Sequence, residues 1–350
     1  MKFDLDALVR PNVKNLQPYS SARKEFKGAA EIFLDANENS FGSPALDRSF
    51  NRYPDPLQTE IKQNIAKWLD LAPQQIFVGN GSDEAIDLLL RVFCEPGKDE
   101  IITTPPTYGM YAVSAAINDV SVRQVLLGEN FALDADRVLT AVSPKTKLIF
   151  LCSPNNPTGN SQPRASILKI AANFGGVLVV DEAYIDFSSQ PSLAAEIANH
   201  PNLVVLQTFS KAWGLAGLRV GLALASAEII HYLNKIKPPY NVSQIAQETL
   251  LAALEKRAVV KKVVAEIIAE RGRLAEKLNE LSFVQKVFPS DANFLLVKMI
   301  DANDVYNYLV KQGIIVRNRS NVELCDGCLR ITVGTQEENK TLMSALAKRG

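Results

Sequence analysis

The 350-residue sequence lacks an excess of charge of either sign. It holds 38 Lys and Arg residues against 38 Asp and Glu residues, so its formal net charge is zero. Proteins that bind nucleic acid or an anionic membrane surface through their overall field carry an excess of Lys and Arg. The balance therefore argues against both kinds of partner.

Long hydrophobic runs are also missing. The densest apolar stretch, residues 175–180, leads directly into Asp181, and it falls well short of the roughly 18 apolar residues that indicate a transmembrane helix. Near the amino terminus, Asp4, Asp6 and Arg10 interrupt the region where a secretory signal needs an unbroken apolar core. We therefore expect a cytoplasmic protein without a membrane segment.

Cysteine and histidine are scarce, with four and two residues in the whole chain. Cys325 and Cys328 have the spacing of a metal-binding pair, but no second pair accompanies them, and His200 and His231 are the only histidines. We therefore expect no metal site, and we expect the cysteines to be reduced thiols.

The sequence does contain an alternation of short apolar runs with helical periods, which is typical of βαβ units around a mostly parallel sheet. Leu57, Ile61, Ile65 and Leu69 recur at four-residue spacing and predict a helix. The composition predicts a second helix over 165–174. Strands are predicted over residues 75–78, 100–103, 147–152, 177–180, 203–207 and 218–225. The fold class is therefore α/β, with helices on both faces of the sheet.

The pattern changes after residue 240. Residues 244–281 have helical composition but are too many for one ordinary helix, so we expect two. Shorter elements follow, with strands predicted over 294–297, 314–316 and 329–333 and helices over 304–312 and 337–348. We predict a large domain over residues 45–240, and a smaller α+β domain formed by residues 241–350 together with an N-terminal arm, residues 1–44.

Four polar features follow predicted strands, where ligands of open α/β sheets bind. They are the glycine turn before the helix that starts near Gly81, the loop around Asn156, the carboxylate of Asp181 and the amine of Lys211. Taken alone, each has an ordinary structural explanation, such as a tight turn or a solvated lysine. Together they supply an anion site, an amide, an acid that needs a protonated nitrogen and a nucleophilic amine, which are the groups that pyridoxal phosphate requires. Glu84 stands where a dinucleotide fingerprint needs a third glycine, so NAD binding is disfavoured.

The order of these motifs resembles the fold-type I aminotransferases. The segments that carry this resemblance are GSDE (81–84), NPTG (156–159), DEAY (181–184), SKAWGLAGLRVG (210–221) and LRITVG (329–334). Within that fold type, the chain resembles the family that acts on histidinol phosphate, through LDANEN (34–39), RYPD (52–55), KPPYN (237–241) and CLRITVG (328–334).

The resemblance implies a role for each matched residue. Lys211 would hold the cofactor covalently and transfer protons, Asp181 would pair with the protonated ring nitrogen, and Tyr108 would stack on the ring. Asn156 and Tyr184 would bind the phenolic oxygen. The implied phosphate ligands are Gly81, Ser82, Asp83, Ser210 and Arg219, with Tyr53 reaching the phosphate from the neighbouring subunit of a homodimer.

The resemblance also implies substrate-binding residues. Arg330 matches an arginine that binds the substrate carboxylate, while Arg317 and Tyr19 match residues at the phosphorylated end of the substrate. Arg319 lies two residues after Arg317 and points the same way in a strand, so either arginine could dominate. Asn318 stands where the family often has Asp.

The implied activity is that of a homodimeric, pyridoxal-phosphate-dependent aminotransferase. It would interconvert histidinol phosphate and 2-oxoglutarate with imidazole acetol phosphate and glutamate, in histidine biosynthesis. Three alternatives stay open at this point. They are an aromatic amino-acid aminotransferase, a threonine-phosphate decarboxylase on the same scaffold, and a regulatory protein that binds the cofactor without turnover.

Overall fold

A seven-stranded sheet forms the centre of the larger part of the molecule. The computed structural model describes residues 3–19, 32, 34–44 and 50–349. The strands lie in the order β1-β7-β6-β5-β4-β2-β3, and β7 is antiparallel to both of its neighbours while the other pairs are parallel. This mostly parallel sheet confirms the predicted fold class. The strands are β1 Ile76–Asn80, β2 Glu100–Thr103, β3 Ser121–Gln124, β4 Thr146–Cys152, β5 Val177–Asp181, β6 Leu203–Thr208 and β7 Val220–Leu224.

Helices cover both faces of this sheet because its central strands are apolar on both sides. Successive residues alternate between two buried clusters: Ile149 and Leu151 of β4 belong to one, and Leu148 and Phe150 to the other. Burial of each such aliphatic side chain stabilises the fold by about 1.5–3 kcal/mol relative to leaving it exposed. Within the described residues, the α-helices before the small sheet are Leu5–Leu8, Pro11–Asn15, Thr59–Leu69, Gly81–Phe93, Met110–Ile117, Ala135–Ala141, Arg164–Asn173, Ala227–Ile236, Gln244–Leu254 and Arg257–Asn279.

A second, antiparallel sheet forms the smaller part, in the order β10-β11-β9-β8. One face packs on the long helix Arg257–Asn279 and on the two carboxyl-terminal helices around a separate apolar cluster that contains Leu278, Val297 and Leu309. The strands are β8 Val284–Val287, β9 Phe294–Met299, β10 Arg317–Asn318 and β11 Cys328–Thr332, and the two last helices are Ala302–Lys311 and Gln336–Arg349. As predicted, the long helical stretch after residue 240 is divided in two.

The prediction of a strand over residues 314–316 is wrong, because in this segment the strand comprises Arg317 and Asn318, which pair with Arg330 and Leu329 of β11. Gly313, with a φ of +75°, ends the preceding helix, and Ile315 is exposed. The first helix stripe also begins later than predicted. The carboxylate of Asp55 accepts the backbone N–H of Leu57 at 2.8 Å and that of Thr59 at 2.6 Å, so Leu57 lies in the turn before the helix.

The amino-terminal segment packs against the larger part of the molecule. Val9 and Val13 belong to the apolar cluster on one face of the seven-stranded sheet, and the N–H of Arg10 donates to the carbonyl of Val92. Residue 45, where the large domain is predicted to begin, lies outside the described residues. Among those that are described, we find no helix long and apolar enough to cross a membrane.

Candidate active site

The polar residues singled out by the sequence converge at one edge of the seven-stranded sheet. β4, β5 and β6 are parallel neighbours, and Cys152 is the register partner of Asp181, which in turn lies beside Leu206. Their carboxyl ends therefore form a common edge, which is where open α/β sheets bind ligands. The helix Gly81–Phe93 begins beside β7, because the Gly81 N–H donates to the Arg219 carbonyl at 2.7 Å.

Two glycines make a close-packed cradle at this helix start. A Cβ on Gly81, whose φ is +69°, would lie 2.9 Å from Arg219 Nη2. A Cβ on Gly221 would lie 2.3 Å from the backbone nitrogen of Ser82. Only glycine allows this approach at both positions. The amino terminus of a 13-residue helix and an arginine side chain thus meet without an intervening side chain, which makes an anion-binding arrangement.

Arg219 links the remaining predicted phosphate ligands. Its Nη2 lies 3.4 Å from Asp83 Oδ2, and its Nη1 donates to Ser210 Oγ at 3.4 Å. The Tyr108 hydroxyl donates to the other oxygen of Asp83 at 3.1 Å, and burial raises the pKa of that phenol. The structure therefore brings Gly81, Ser82 and these four residues into one neighbourhood.

Asp181 is a buried acid at the end of β5, with 3% of its surface exposed. One carboxylate oxygen accepts the Tyr111 hydroxyl at 2.7 Å, and the other accepts the backbone N–H of Ala183 at 3.0 Å. Burial raises the pKa of Asp181 to about 6, and these two donors oppose the rise. The sequence suggested a cationic partner, whereas its hydrogen-bond donors in the protein are neutral. A carboxylate in this setting can still pair with a protonated nitrogen.

Lys211 follows β6 and reaches the same cleft. Its Nζ lies 5.6 Å from the centroid of the Tyr184 ring. The pKa of Lys211 is lowered, first by burial and then by the positive charge of Arg330. The apolar surroundings expected from the sequence therefore explain only part of the lowered pKa. The Lys211 residue as a whole is exposed. A lysine with a lowered pKa is more readily an uncharged amine, able to act as a nucleophile or a base.

Arg330 of β11 connects the small sheet to the loop after β4. Its Nη1 donates to the side-chain oxygen of Asn156, and its guanidinium lies 5.2 Å from the Phe294 ring centroid. Tyr184 is buried and meets the same ring edge-on at 5.1 Å. Burial raises the pKa of the Tyr184 hydroxyl, which therefore remains a donor at neutral pH. Asn156, Tyr184 and Arg330 thus lie around one side of the cleft that Lys211 enters.

Two more arginines lie beside Arg330. Arg317 of β10 is the register partner of Arg330 in β11. The backbone N–H of Arg319 donates to the backbone carbonyl of Cys328. Arg317 is exposed, whereas the Nε atoms of Arg319 and Arg330 are both buried without a hydrogen-bond partner. Burial and the charges of the other two arginines lower the pKa of Arg319. None of the three forms a salt bridge with a carboxylate of the described residues, so the cluster has unused donors for an anion.

Two predicted residues lie apart from this cleft. The Tyr53 ring stacks on Tyr240, with centroids 4.4 Å apart, and about half of the residue is exposed. Tyr19 is 75% exposed and lines a separate surface cleft of about 370 Å³, together with Pro56 and Lys237. Among the described residues, neither tyrosine forms a side-chain hydrogen bond with the groups around Lys211.

The sequence reasoning missed two residues of the site. Tyr111 lies three positions after Tyr108, at the start of the helix Met110–Ile117, and this spacing could have suggested a shared face. Asn155 is buried and joins two loops: its amide donates to Pro106 and Thr158 at 2.8 and 2.7 Å, and its oxygen accepts the Thr107 hydroxyl. No sequence pattern distinguishes it from Asn156.

Cys325 lies in the turn before β11, and Cys328 is the first residue of that strand. Both thiols are buried, and all four cysteines of the chain are free. Burial raises the pKa of Cys325 to about 12 and that of Cys328 to about 11. They are therefore weakly reactive thiols with a packing role.

Known proteins resemble this chain over its whole length. The sequence model of the family described as aminotransferase class I and II matches residues 28–346. A histidinol-phosphate aminotransferase from Parabacteroides distasonis is 57% identical over 343 residues, which is 98% of each chain. One from Cytophaga hutchinsonii is 52% identical over 346 residues, 99% of each chain. The solved structure of histidinol-phosphate aminotransferase from Sinorhizobium meliloti in complex with pyridoxal-5'-phosphate has a TM-score of 0.80 at 26% identity, covering 97% of this chain and 96% of that one.

Proposed function

Because this chain belongs to the class I and II aminotransferases, which depend on pyridoxal phosphate, we propose that it transfers the amino group of histidinol phosphate to 2-oxoglutarate. The products are imidazole acetol phosphate and glutamate, and the reaction is reversible. This activity belongs to histidine biosynthesis.

The residues of the cleft fit pyridoxal phosphate. The cradle at Gly81 and Gly221, which a Cβ would fill, suits the phosphate, and Arg219 supplies its positive charge. Asp181 suits the ring nitrogen, and Lys211 supplies the amine that holds the aldehyde carbon. When bound, the cofactor supplies a ring that withdraws electrons from the substrate Cα.

Protein groups move and hold the protons of the reaction. Lys211, whose pKa is lowered, would accept the proton of the substrate Cα as an uncharged amine and return it to the cofactor carbon bonded to the substrate nitrogen. Asp181 would hold a proton on the ring nitrogen, and the Tyr184 hydroxyl and Asn156 amide would orient the phenolic oxygen. Tyr108 would cover one face of the ring. These five residues therefore divide the chemistry into proton transfer, charge stabilisation and orientation.

The arginine cluster is the observation that carries the substrate assignment. Histidinol phosphate has a phosphate with close to two negative charges and no carboxylate, whereas glutamate has two carboxylates. The cluster consists of three guanidinium groups, those of Arg317, Arg319 and Arg330, and none has a salt-bridge partner among the described residues. The Nε atoms of Arg319 and Arg330 are also buried and form no hydrogen bond there. Guanidinium groups bind both phosphate and carboxylate through paired hydrogen bonds. One cluster can therefore accept both substrates in turn.

A homodimer in the cytoplasm completes the proposal. Tyr53 is half exposed and its ring stacks on Tyr240, so a second copy can approach its hydroxyl. In this assembly, Tyr53 would bind the cofactor phosphate of the partner, and Tyr19 would contact the phosphorylated end of a substrate. The four free thiols fit a reducing compartment.

Half-reaction spectra of the purified holoenzyme test the function. We expect histidinol phosphate and glutamate to convert the bound cofactor to its amine form, while unphosphorylated histidinol does so poorly. If phenylalanine were preferred and the phosphate gave no advantage, the aromatic aminotransferase would replace this proposal. Release of carbon dioxide from threonine phosphate would identify a decarboxylase, and cofactor binding without turnover of any substrate would identify a regulatory protein.

A further inference from the structure

Tyr111 is a fully buried tyrosine whose hydroxyl faces two acidic groups, the Asp181 carboxylate and the Cys152 thiol. It donates to Asp181 Oδ2 at 2.7 Å. Its ring is stacked on Phe150, with centroids 4.9 Å apart and 18° between the planes, and it meets Tyr108 edge-on at 5.6 Å. None of its surface is exposed. Packing on both sides therefore fixes the direction in which the hydroxyl points.

The Asp181 carboxylate has few other groups to hold its charge. Within the part of the chain that the structure describes, its second oxygen accepts only the Ala183 N–H, and burial favours the neutral acid. Among the charged groups that face it, Asp83 also raises its pKa, while Lys211 lowers it. The remaining neighbours are the Cys152 thiol and the phenols of Tyr108 and Tyr184, which burial keeps neutral. Of the groups that lower the pKa of Asp181, the Tyr111 hydroxyl therefore has the largest effect.

We propose that Tyr111 is a positioning residue of the aminotransferase reaction, which keeps Asp181 ionised and fixes the plane of its carboxylate toward the cofactor ring nitrogen. This inference rests on the role proposed above for Asp181. Two donors from different elements, the backbone after β5 and the side chain of the helix Met110–Ile117, hold the two oxygens separately. With one of them removed, the carboxylate could rotate and take up a proton.

Tyr111→Phe in the holoenzyme tests the inference, because it removes the hydroxyl and keeps the stacked ring. A charge-assisted hydrogen bond contributes enough to predict a fall in kcat of about tenfold or more, with little change in the KM for either substrate. Since the hydroxyl favours the carboxylate, its loss raises the pKa of Asp181, and the acidic limb of the kcat profile should move to higher pH. Tyr308→Phe is the matched control, because its hydroxyl donates to the distant Ala345 carbonyl.

A second measurement does not depend on turnover. Nuclear magnetic resonance of holoenzyme loaded with ring-¹⁵N-labelled pyridoxal phosphate reports protonation of the ring nitrogen. We expect the protonated fraction at neutral pH to fall in Tyr111→Phe and to stay unchanged in Tyr308→Phe. In an Asp181→Asn background, Tyr111→Phe should have no further effect on the nitrogen signal.

The outcomes separate this inference from the proposed function. An unchanged pH profile and nitrogen signal in folded Tyr111→Phe would overturn the inference and leave the activity standing, even if thermal stability fell. An additional effect of Tyr111→Phe in the Asp181→Asn background would also overturn it. If the wild type failed to use histidinol phosphate, the proposed substrate would be lost, and the nitrogen signal would still decide the role of Tyr111. If Tyr111→Phe did not fold, the double variant, which also removes the buried charge, supplies the comparison with Asp181→Asn.

Discussion

Lys211 is the residue on which the proposed chemistry depends most directly, since it has both an accessible amine and a lowered pKa. We expect Lys211→Ala to lower the rate of each half-reaction by at least about a hundredfold. General acid–base catalysis typically contributes about a hundred-fold to ten thousand-fold. Borohydride reduction of the wild type should attach the cofactor at Lys211, as read by peptide mapping. Lys169→Ala, which removes a surface partner of Asp136, is the control. A label on any other lysine would refute the assignment.

Arg319 is the arginine for which the structure adds most to the sequence. Its Nε is buried without a partner among the described residues, and its pKa is lowered first by burial and then by the charges of Arg330 and Arg317. We expect Arg319→Gln to lower kcat/KM for histidinol phosphate by about thirty-fold or more, because a buried guanidinium partner of a phosphate is lost. The value for unphosphorylated histidinol should change little. Arg349→Gln, which removes a salt bridge to Asp304 in the same part of the molecule, should leave both values near those of the wild type. Equal losses for the two substrates would argue against a phosphate contact.

Residue types could be predicted from the sequence better than their partners could. Lys211, Asp181 and Asn156 were identifiable because each follows an apolar strand, and such strands end at a common edge. The contact of Tyr111 with Asp181 was not identifiable, because a buried tyrosine in an apolar helix has the same sequence pattern whether or not its hydroxyl meets an acid. The contact between Arg330 and Asn156 joins the small sheet to the loop after β4. The two residues are 174 positions apart in sequence, so no local pattern predicts their contact.

At the scale of elements, the helix start at Gly81 depends on the strand β7 beside it. We expect Gly221→Ala to weaken pyridoxal phosphate binding at least tenfold, because its Cβ would lie 2.3 Å from the Ser82 nitrogen and push the helix start away. Gly217→Ala is the matched control, since a Cβ there meets no atom within 4 Å. Fluorescence titration of cofactor-free protein measures both affinities. Equal affinities in the two variants would show that the cradle is not tightly packed.

Glu182 ties the short helix Leu193–Glu196 to the sheet. Its carboxylate accepts the Leu193 N–H, the Ser192 hydroxyl and the Gln207 amide, and burial raises its pKa from 4.5 to about 7. The folded protein therefore retains a proton that the unfolded chain releases above pH 4.5, so this contribution to the free energy of unfolding falls as the pH rises toward 7.

Glu182→Gln removes that titration and keeps an oxygen acceptor. Relative to the variant, we expect the wild type to lose roughly 3 kcal/mol of stability between pH 4.5 and pH 8. Urea unfolding of both proteins at several pH values measures the difference. A constant difference across this range would mean that Glu182 is ionised in the folded protein throughout.

Strands whose two faces are buried could be predicted from sequence, and those with polar exposed faces could not. β4, β5 and β6 are nearly continuous apolar runs and were located to within one or two residues. β3 and β8 were missed because they are short edge strands with charged residues such as Arg123 and Lys286, which solvate an edge and conceal the strand pattern. The direction of β7 is set by packing rather than by local sequence.

At the scale of the whole molecule, the proposed dimer predicts that two inactive variants can restore each other. If Tyr53 completes the partner's site, a mixed dimer of Tyr53→Ala and Lys211→Ala subunits contains one site with neither change. Mixing the two variants under conditions of subunit exchange should therefore recover up to a quarter of the wild-type activity, in the ratio expected for random pairing. Sedimentation at assay concentration should show a dimer. No recovery despite proven exchange, or a fully active monomer, would refute the shared site.

The residues that meet in the cleft and the division of the chain were predicted from different kinds of sequence signal. The described N-terminal residues and the helix Gln244–Leu254 both pack on clusters of the seven-stranded sheet, through Val13 and Leu250 among others. The division after residues 44 and 240 remains a proposal. The sequence pattern indicates which helices and strands a segment forms, but it does not indicate which sheet those elements pack on. Tyr53 and Tyr19 were implied only by resemblance, since the proposed partner of Tyr53 belongs to a neighbouring subunit and that of Tyr19 is the substrate.

The hydrogen bond between Arg330 and Asn156 links the substrate side of the cleft to its cofactor side. It uses one N–H of the guanidinium and the side-chain oxygen of Asn156. A guanidinium has five N–H donors, so a carboxylate or phosphate can bind the others, including the Nε that has no partner among the described residues, while this bond persists. The NH2 group of Asn156 stays free to donate to a phenolic oxygen, so the arginine that would anchor the substrate also holds the orientation of the amide that would bind the cofactor.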